Sequence, residues 1–276
     1  MSAQASKSRP AEFFHTHPVF TYEEFRKAHS TGRVRSSNTT HNLLVHHCRA
    51  GHLVRVRRGL YATVPPGIAP AAAPVDPYLL ATKLTDDATV AYHAALQYHG
   101  KAYSVWHRFP FLTRVRARPL RFRGSELIPV LHQPVIRDLP DAGGGVVEER
   151  HSGGHVRVTS LERTMVDVLN QPQHGGGWEE IWRSLESVEF FNLDAVISYA
   201  VRLQSALTVA RVGFFLEQHR EALMVENRHL RELRRHAPTQ PRYLDPRRQK
   251  QKEKFISGWN LVVPRQVLDR SWEEPG

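Results

Sequence analysis

Residues Ser36–Val64, SSNTTHNLLVHHCRAGHLVRVRRGLYATV, decide how the chain is read. Their first half has the spacing of a helix. Ser36 or Ser37 suits the N-cap, because a hydroxyl there accepts a bond from an orphan backbone N–H. Gly51 suits the stop, where a positive φ costs little without a Cβ. At about 100° per residue, Thr40, Leu43, Leu44 and His47 share one face. Asn38, His41, Asn42, Val45 and Arg49 share the other. That second set has the chemistry of base-edge readers: Asn for adenine, Arg for guanine, and a small apolar group for a thymine methyl. From Leu53 to Val64 the period changes to two around an Arg58-Gly59 turn. Arg55, Arg57 and Arg58 cluster there, where a hairpin presents them to phosphates.

A helix followed by a basic hairpin predicts a winged helix-turn-helix. Upstream, Phe20-Thr21-Tyr22-Glu23-Glu24-Phe25 is a helix start, with Thr21 and Glu24 spaced as a capping box. Arg33 and Arg35 lie in the turn between this helix and the next. The candidate DNA-contacting set is therefore Arg33, Arg35, Ser36, Ser37, Asn38, Thr39, His41, Asn42, Val45, Arg49, Arg55, Arg57 and Arg58. Residues 1–17 read as a polar arm without the apolar core of a secretory signal.

Charge agrees with a polyanionic partner. The 276-residue chain has net charge +11 and pI about 10.1. Residues 1–64 hold ten Lys and Arg against three carboxylates, so the positive field is concentrated there. Pro65-Pro66-Gly67 through Pro74 disfavours helix and central strand and reads as a linker. The expected organisation is thus a DNA-binding domain over 1–64, a linker over 65–75, and a second domain over 76–276. The fold class is α+β, the larger C-terminal domain being mixed. One cysteine excludes an internal disulfide and, with no apolar run of membrane-spanning length, predicts a cytoplasmic protein.

In the second domain, Asp76-Pro77 opens a helix, and Ala88–His99 reads as another ending at Gly100. Strands are expected near Tyr103–Trp106, Phe109–Arg114, Leu120–Arg123, Leu127–Leu131, Val146–Glu149 and Val156–Val158. Thr159-Ser160-Leu161-Glu162 reads as a capping box, with Arg163 placed to snorkel. Gly175-Gly176-Gly177 reads as a flexible break. Helices follow at Trp178–Leu185, Leu193–Leu203 and Thr208–His219, then an arginine-rich piece and one strand over Phe255–Val263. The arginine runs at 114–123 and 228–252 read as solvated faces.

These residues resemble the AbiE-type antitoxins of type IV toxin–antitoxin systems. The likeness is carried by the Phe20-Thr21 helix start, the wing from Gly51 to Tyr61 and the Asp76–Ala81 opening. Ala91–Leu96 and Thr159–Thr164 also carry it. The resemblance implies a repressor of its own operon that binds inverted repeats in double-stranded DNA. It also implies a C-terminal domain that counteracts a nucleotidyltransferase-like toxin without a stable complex. Composition and periodicity support only the DNA-binding half; the second role rests on the resemblance alone.

Enzyme signatures are sparse. The chain has no dinucleotide fingerprint, P-loop or nucleophile elbow. His15, His17, His46, His47 and Cys48 lack the two short-spaced pairs of a structural zinc site, so no metal or cofactor is expected. His47 reads as a core histidine and Cys48 as a small buried filler. Asp86, Asp87, Glu162 and Asp167 have bland readings at helix starts and caps. A kinase-like or nucleotide-using C-terminal domain is the alternative left open.

Overall fold

The computed structural model describes residues 10–29, 37–246 and 252–272, with Ser37 and Asn38 as backbone only. It begins with a helix where a polar arm was expected: α1 (Pro10–Thr16). The polar composition hides Phe13, which is buried, stacked on His17 and edge-on to Phe20 and Phe25 at 5.1 and 5.2 Å. Strand β1 (Val19–Thr21) leads into α2 (Tyr22–His29). The capping box there forms: the Thr21 N–H donates to Glu24 at 2.7 Å and the Glu24 N–H donates to Thr21 Oγ1 at 3.2 Å. Helix α3 (Ser37–Arg49) and the hairpin of β2 (Leu53–Arg57) and β3 (Leu60–Thr63) complete the unit. Its three strands form an antiparallel sheet in the order β1-β3-β2. Phe13, Phe20, Phe25, Leu44, Leu53 and Tyr61 form its core.

The N-terminal unit rests on the remainder of the chain. Val19, Leu60 and Ala62 pack into one cluster with Leu79 and Leu80 of α4 (Pro77–Thr82). Lys83, just past α4, bonds the Glu24 carboxylate. Burial alone would raise that carboxyl's pKa; the bonds from Lys83 and Thr21 outweigh it and hold the group below its ordinary value. Between the two parts, residues 64–76 contain no helix or strand.

The larger part is built on a six-stranded mixed sheet. Its strands are β4 (Thr89–Val90), β5 (Arg108–Thr113), β6 (Leu120–Phe122), β7 (Ser125–Leu131), β8 (Val146–His151) and β9 (Gly154–Thr159), in the order β6-β7-β5-β4-β9-β8. Helices α5 (Tyr92–Tyr98), α6 (Pro134–Arg137), α7 (Leu161–Asn170), α8 (Trp178–Glu186), α9 (Leu193–Arg202), α10 (Ala206–Gln218) and α11 (Asn227–Arg235) accompany it. A small sheet of β10 (Arg242–Tyr243), β11 (Glu253–Ile256) and β12 (Leu261–Pro264), ordered β10-β12-β11, and α12 (Arg265–Asp269) finish the described chain. A second core joins α7 to α11 around Trp182 and Trp259. The Trp259 ring lies where a Cβ on Gly213 would stand, 2.2 Å away, so α10 requires glycine at that point. Among the described residues no helix is long and apolar enough to cross a membrane.

Several expectations are corrected. Ala88–His99 is not one helix: Thr89 and Val90 pair with Leu112 and Phe111 on one side, and Val90 with Val158 on the other. A central sheet position outweighs local helix propensity. Asp86 and Asp87 therefore do not start a helix; Asp87 instead accepts from Thr113 and from the Arg114 N–H. Tyr103–Trp106 is not a strand, because side chains take its N–H groups. Tyr103 donates to Ser184, Ser104 to Glu180 and Trp106 to Gln97, each at 2.9 Å. Ser160, not Thr159, caps α7, and Glu162 accepts from the Asn192 N–H instead of closing a box. The arginine-rich piece contains α11, which buries Leu230 and Leu233 and pairs Arg234 with Glu217 and Arg235 with Glu232. Phe255–Val263 is two antiparallel strands joined by a short turn.

Glu180 fastens the Tyr103–Trp106 loop. Its carboxylate accepts from His93 Nε2 at 2.9 Å and from Ser104 Oγ at 2.6 Å, while Trp106 stacks on His93. Burial opposes ionisation, but these donors win and hold the carboxyl at about 2. A lowered acid contributes stability above its unfolded value and loses it as pH falls towards the folded one. Glu180→Gln is expected to destabilise the protein by up to about 3 kcal/mol at pH 7. In urea titrations the gap to wild type should close between about pH 5 and pH 2; a gap independent of pH would refute this account.

Candidate nucleic-acid interface

Helix α3 is amphipathic in the sense its spacing predicts. Thr40 and Leu44 are buried, and Leu43 and His47 are half-buried against the core. His47 stands edge-on to Phe14 at 4.9 Å, and burial, then neighbouring imidazoles, lowers its pKa. On the opposite side Thr39, His41, Asn42 and Arg49 are exposed and Val45 is half-exposed. The helix stops at Gly51, whose φ is +76, with the His52 N–H returning to the His47 carbonyl at 3.0 Å.

Strand β2 completes the surface. Arg55 sits opposite Tyr61 in register. His41, Val45, Cys48 and Arg49 of α3 line one depression of about 310 Å³ together with Arg55 and Tyr61. Cys48 is thus half-buried, packing against the N-terminal core while also forming part of that wall. Burial raises its thiol pKa, and the nearby Arg55 charge opposes the rise. Four of the sequence-predicted residues converge at this point, and Asn42 and Thr39 extend the same helix face.

The rest of the predicted set is placed differently. Arg58 is exposed at the turn, beside Gly59 with φ +77. Arg57 follows a register break between Arg55 and Arg57, and its Nη2 donates to the Leu84 carbonyl at 3.1 Å. One of its hydrogen bonds is thereby spent inside the protein. Arg33, Arg35 and Ser36 lie outside the described residues, as do the side chains of Ser37 and Asn38.

The wider basic surface includes one contact that spacing did not reveal. Arg123, at the β6–β7 turn, bonds the Pro70 carbonyl, and the Pro70 ring is 3.2 Å from where a Cβ on Gly51 would stand. The end of α3 therefore meets the second sheet through the proline-rich segment. Only the folded chain brings together residues about 70 positions apart in this way.

No family model and no curated protein matches this sequence. A solved structure does: the crystal structure of the RV2827C protein from Mycobacterium tuberculosis, at TM-score 0.56 and 18% identity, over 94% of this chain and 92% of that one. The two proteins share a fold. At that identity the likeness extends to architecture alone, and it spans both the N-terminal unit and the larger part.

Among the described residues, no group of three or more His, Cys, Asp or Glu side chains has the arrangement needed to hold a metal ion. The carboxylates weighed for an enzymatic reading have structural partners: Glu162 bonds the Asn192 N–H, and Asp167 is tied to Arg163 and Tyr199.

Proposed function

We propose that the N-terminal unit is a winged helix-turn-helix, that α3 reads the major groove of operator DNA, and that the protein represses its own operon as an AbiE-type antitoxin. One observation carries the reading: His41, Val45 and Arg49 of α3 line a shared open surface with Arg55 of β2. The element order helix, strand, helix, helix, strand, strand, with β1 against β3, is also that of a winged helix. A duplex major groove admits an α-helix, and the flanking strand supplies a phosphate contact. The antitoxin role of the larger part follows from the resemblance at Asp76–Ala81, Ala91–Leu96 and Thr159–Thr164. In that role it counteracts a nucleotidyltransferase-like toxin without holding it in a stable complex.

The test is binding to the duplex upstream of the gene against a scrambled duplex of equal length, measured by anisotropy across salt concentrations. Specific affinity should exceed non-specific affinity by about 10³ or more. Arg55→Ala should weaken binding to both duplexes alike and flatten the log–log salt slope by about 0.9. Arg57→Ala should have the smaller effect of the two, since Arg57 is already committed to Leu84. Equal affinity of the unaltered protein for both duplexes would overturn the repressor reading. Co-expression with the adjacent toxin gene tests the antitoxin role separately.

A further inference from the structure

A second concave site lies in the larger part, away from α3. It is a cavity of about 580 Å³ lined by Trp106, Trp178, Asn170, Gln173 and Arg211, with Gly176 and Gly177 on one wall and Asp245 on another. That volume is within the range of small-molecule sites. Both glycines have φ above +90°, and a Cβ on Gly176 would stand 2.9 Å from the Trp106 ring. The Gly175–Gly177 segment is therefore a fitted turn and not merely a flexible break.

Arg211 is the unusual member. It is 3% exposed, and its guanidinium carbon lies over the Trp178 ring, 5.2 Å from the ring centroid. Its Nε and Nη2 donate to the Leu244 carbonyl, and Nη1 donates to the carbonyls of Leu169 and Asn170. That leaves one Nη2 hydrogen without an acceptor among the described residues. No ion pair joins it to a described carboxylate, and Asp245 contributes a favourable charge interaction. Burial pulls its pKa down to about 10, as expected for a cation short of counter-charge. A buried guanidinium of this kind favours an anion.

The first turn of α8 opens on the same wall, since Gly177 has no side chain to cap it. The two acids in that turn are engaged elsewhere, Glu179 with Arg183 and Glu180 with His93. Two indoles provide flat apolar surface suited to an aromatic ring.

We propose that this cavity binds a planar aromatic anion of the nucleotide class, with a base against Trp106 or Trp178 and a phosphate towards Arg211. The site is separate from the α3 surface, so its test needs no DNA and stands whether or not the repressor reading holds.

The experiment is calorimetric titration of the full-length protein with AMP, GMP, CMP and UMP, with adenosine and inorganic phosphate as single-feature probes. At least one nucleotide should bind at least about tenfold more tightly than either adenosine or phosphate. Gln173 is exposed, so Gln173→Trp fills the mouth without disturbing the core, and Gln173→Glu adds a repelling charge. Each should weaken the nucleotide at least about tenfold with an unchanged melting temperature. Absence of binding by all four nucleotides up to about 5 mM would overturn the proposal. So would equal affinity for adenosine, equal affinity for phosphate, or indifference to both Gln173 variants.

Discussion

Arg163→Met is expected to destabilise the protein by about 3–5 kcal/mol, a large share of the total for an ordinary domain. Arg163 is 1% exposed and Asp167 3%. Nε of Arg163 donates to Asp167 Oδ2 at 3.3 Å, and the Tyr199 hydroxyl donates to Oδ1 at 2.9 Å. Nη1 of Arg163 also holds the carbonyls of Ala142 and Gly144. That stretch is a left-handed turn, strained at Ala142 (φ +47) and accommodated by the three glycines after it. Methionine fills much of the space but leaves the buried Asp167 without its counter-charge and strips the Arg163 donor from its Oδ2 and from two carbonyls. Asp167 already has a raised pKa through burial, with Arg163 as the chief opposing charge. In the variant, an acid with a still higher folded pKa favours the folded state at low pH and loses that advantage as pH rises. Urea denaturation should therefore show the variant closer to wild type at about pH 4 than at pH 7. Arg163→Met with Asp167→Leu should recover part of the loss, because removing both charges leaves none stranded. A single variant within about 1 kcal/mol of wild type would show that the pair is not doing this.

If α3 reads operator DNA as proposed, the double substitution Asn42→Ala, Arg49→Ala is expected to abolish most discrimination between operator and scrambled duplex while leaving the fold intact. Both residues are exposed on α3, and neither contributes to the core beneath. A bidentate base contact discriminates by about 1–3 kcal/mol, so losing two costs roughly 30-fold to 10⁴-fold in specific affinity. Binding to the scrambled duplex should fall much less, by about the loss of one phosphate-range cation. Competitive anisotropy against both duplexes checks this, with melting temperature as the control for folding. A parallel drop on both duplexes would mean that α3 grips backbone and does not read bases.

How far the chain could be read from its letters follows from where the signal was local. The α3–β2–β3 stretch declared itself because period and stop both lay within 29 residues, while the cap expected at Ser36 or Ser37 falls outside the described side chains. The outward side of α3 was legible for the same reason: an amphipathic helix with one apolar stripe has only one way to bury it. The caps at Thr21, Asp76 and Asn192 needed nothing beyond a side chain and its neighbouring N–H groups.

Other features depended on partners distant in sequence. Thr89-Val90 became a central strand because β5 and β9 flank it, and Tyr103–Trp106 became a loop because Ser184, Glu180 and Gln97 capture its amides. Arg163, expected at the surface, is interior because the Ala142–Gly145 turn folds over it. Arg57 was placed with the other arginines of the turn, and only the folded chain shows that, beside a register break, it also bonds the Leu84 carbonyl. The Trp106–Trp178–Arg211 cavity had no sequence signature, since its walls come from segments more than 130 residues apart. Short-range hydrogen bonding and periodicity are written in the chain itself, whereas burial of a charge, a central strand position or a cavity exists only once distant segments close on one another.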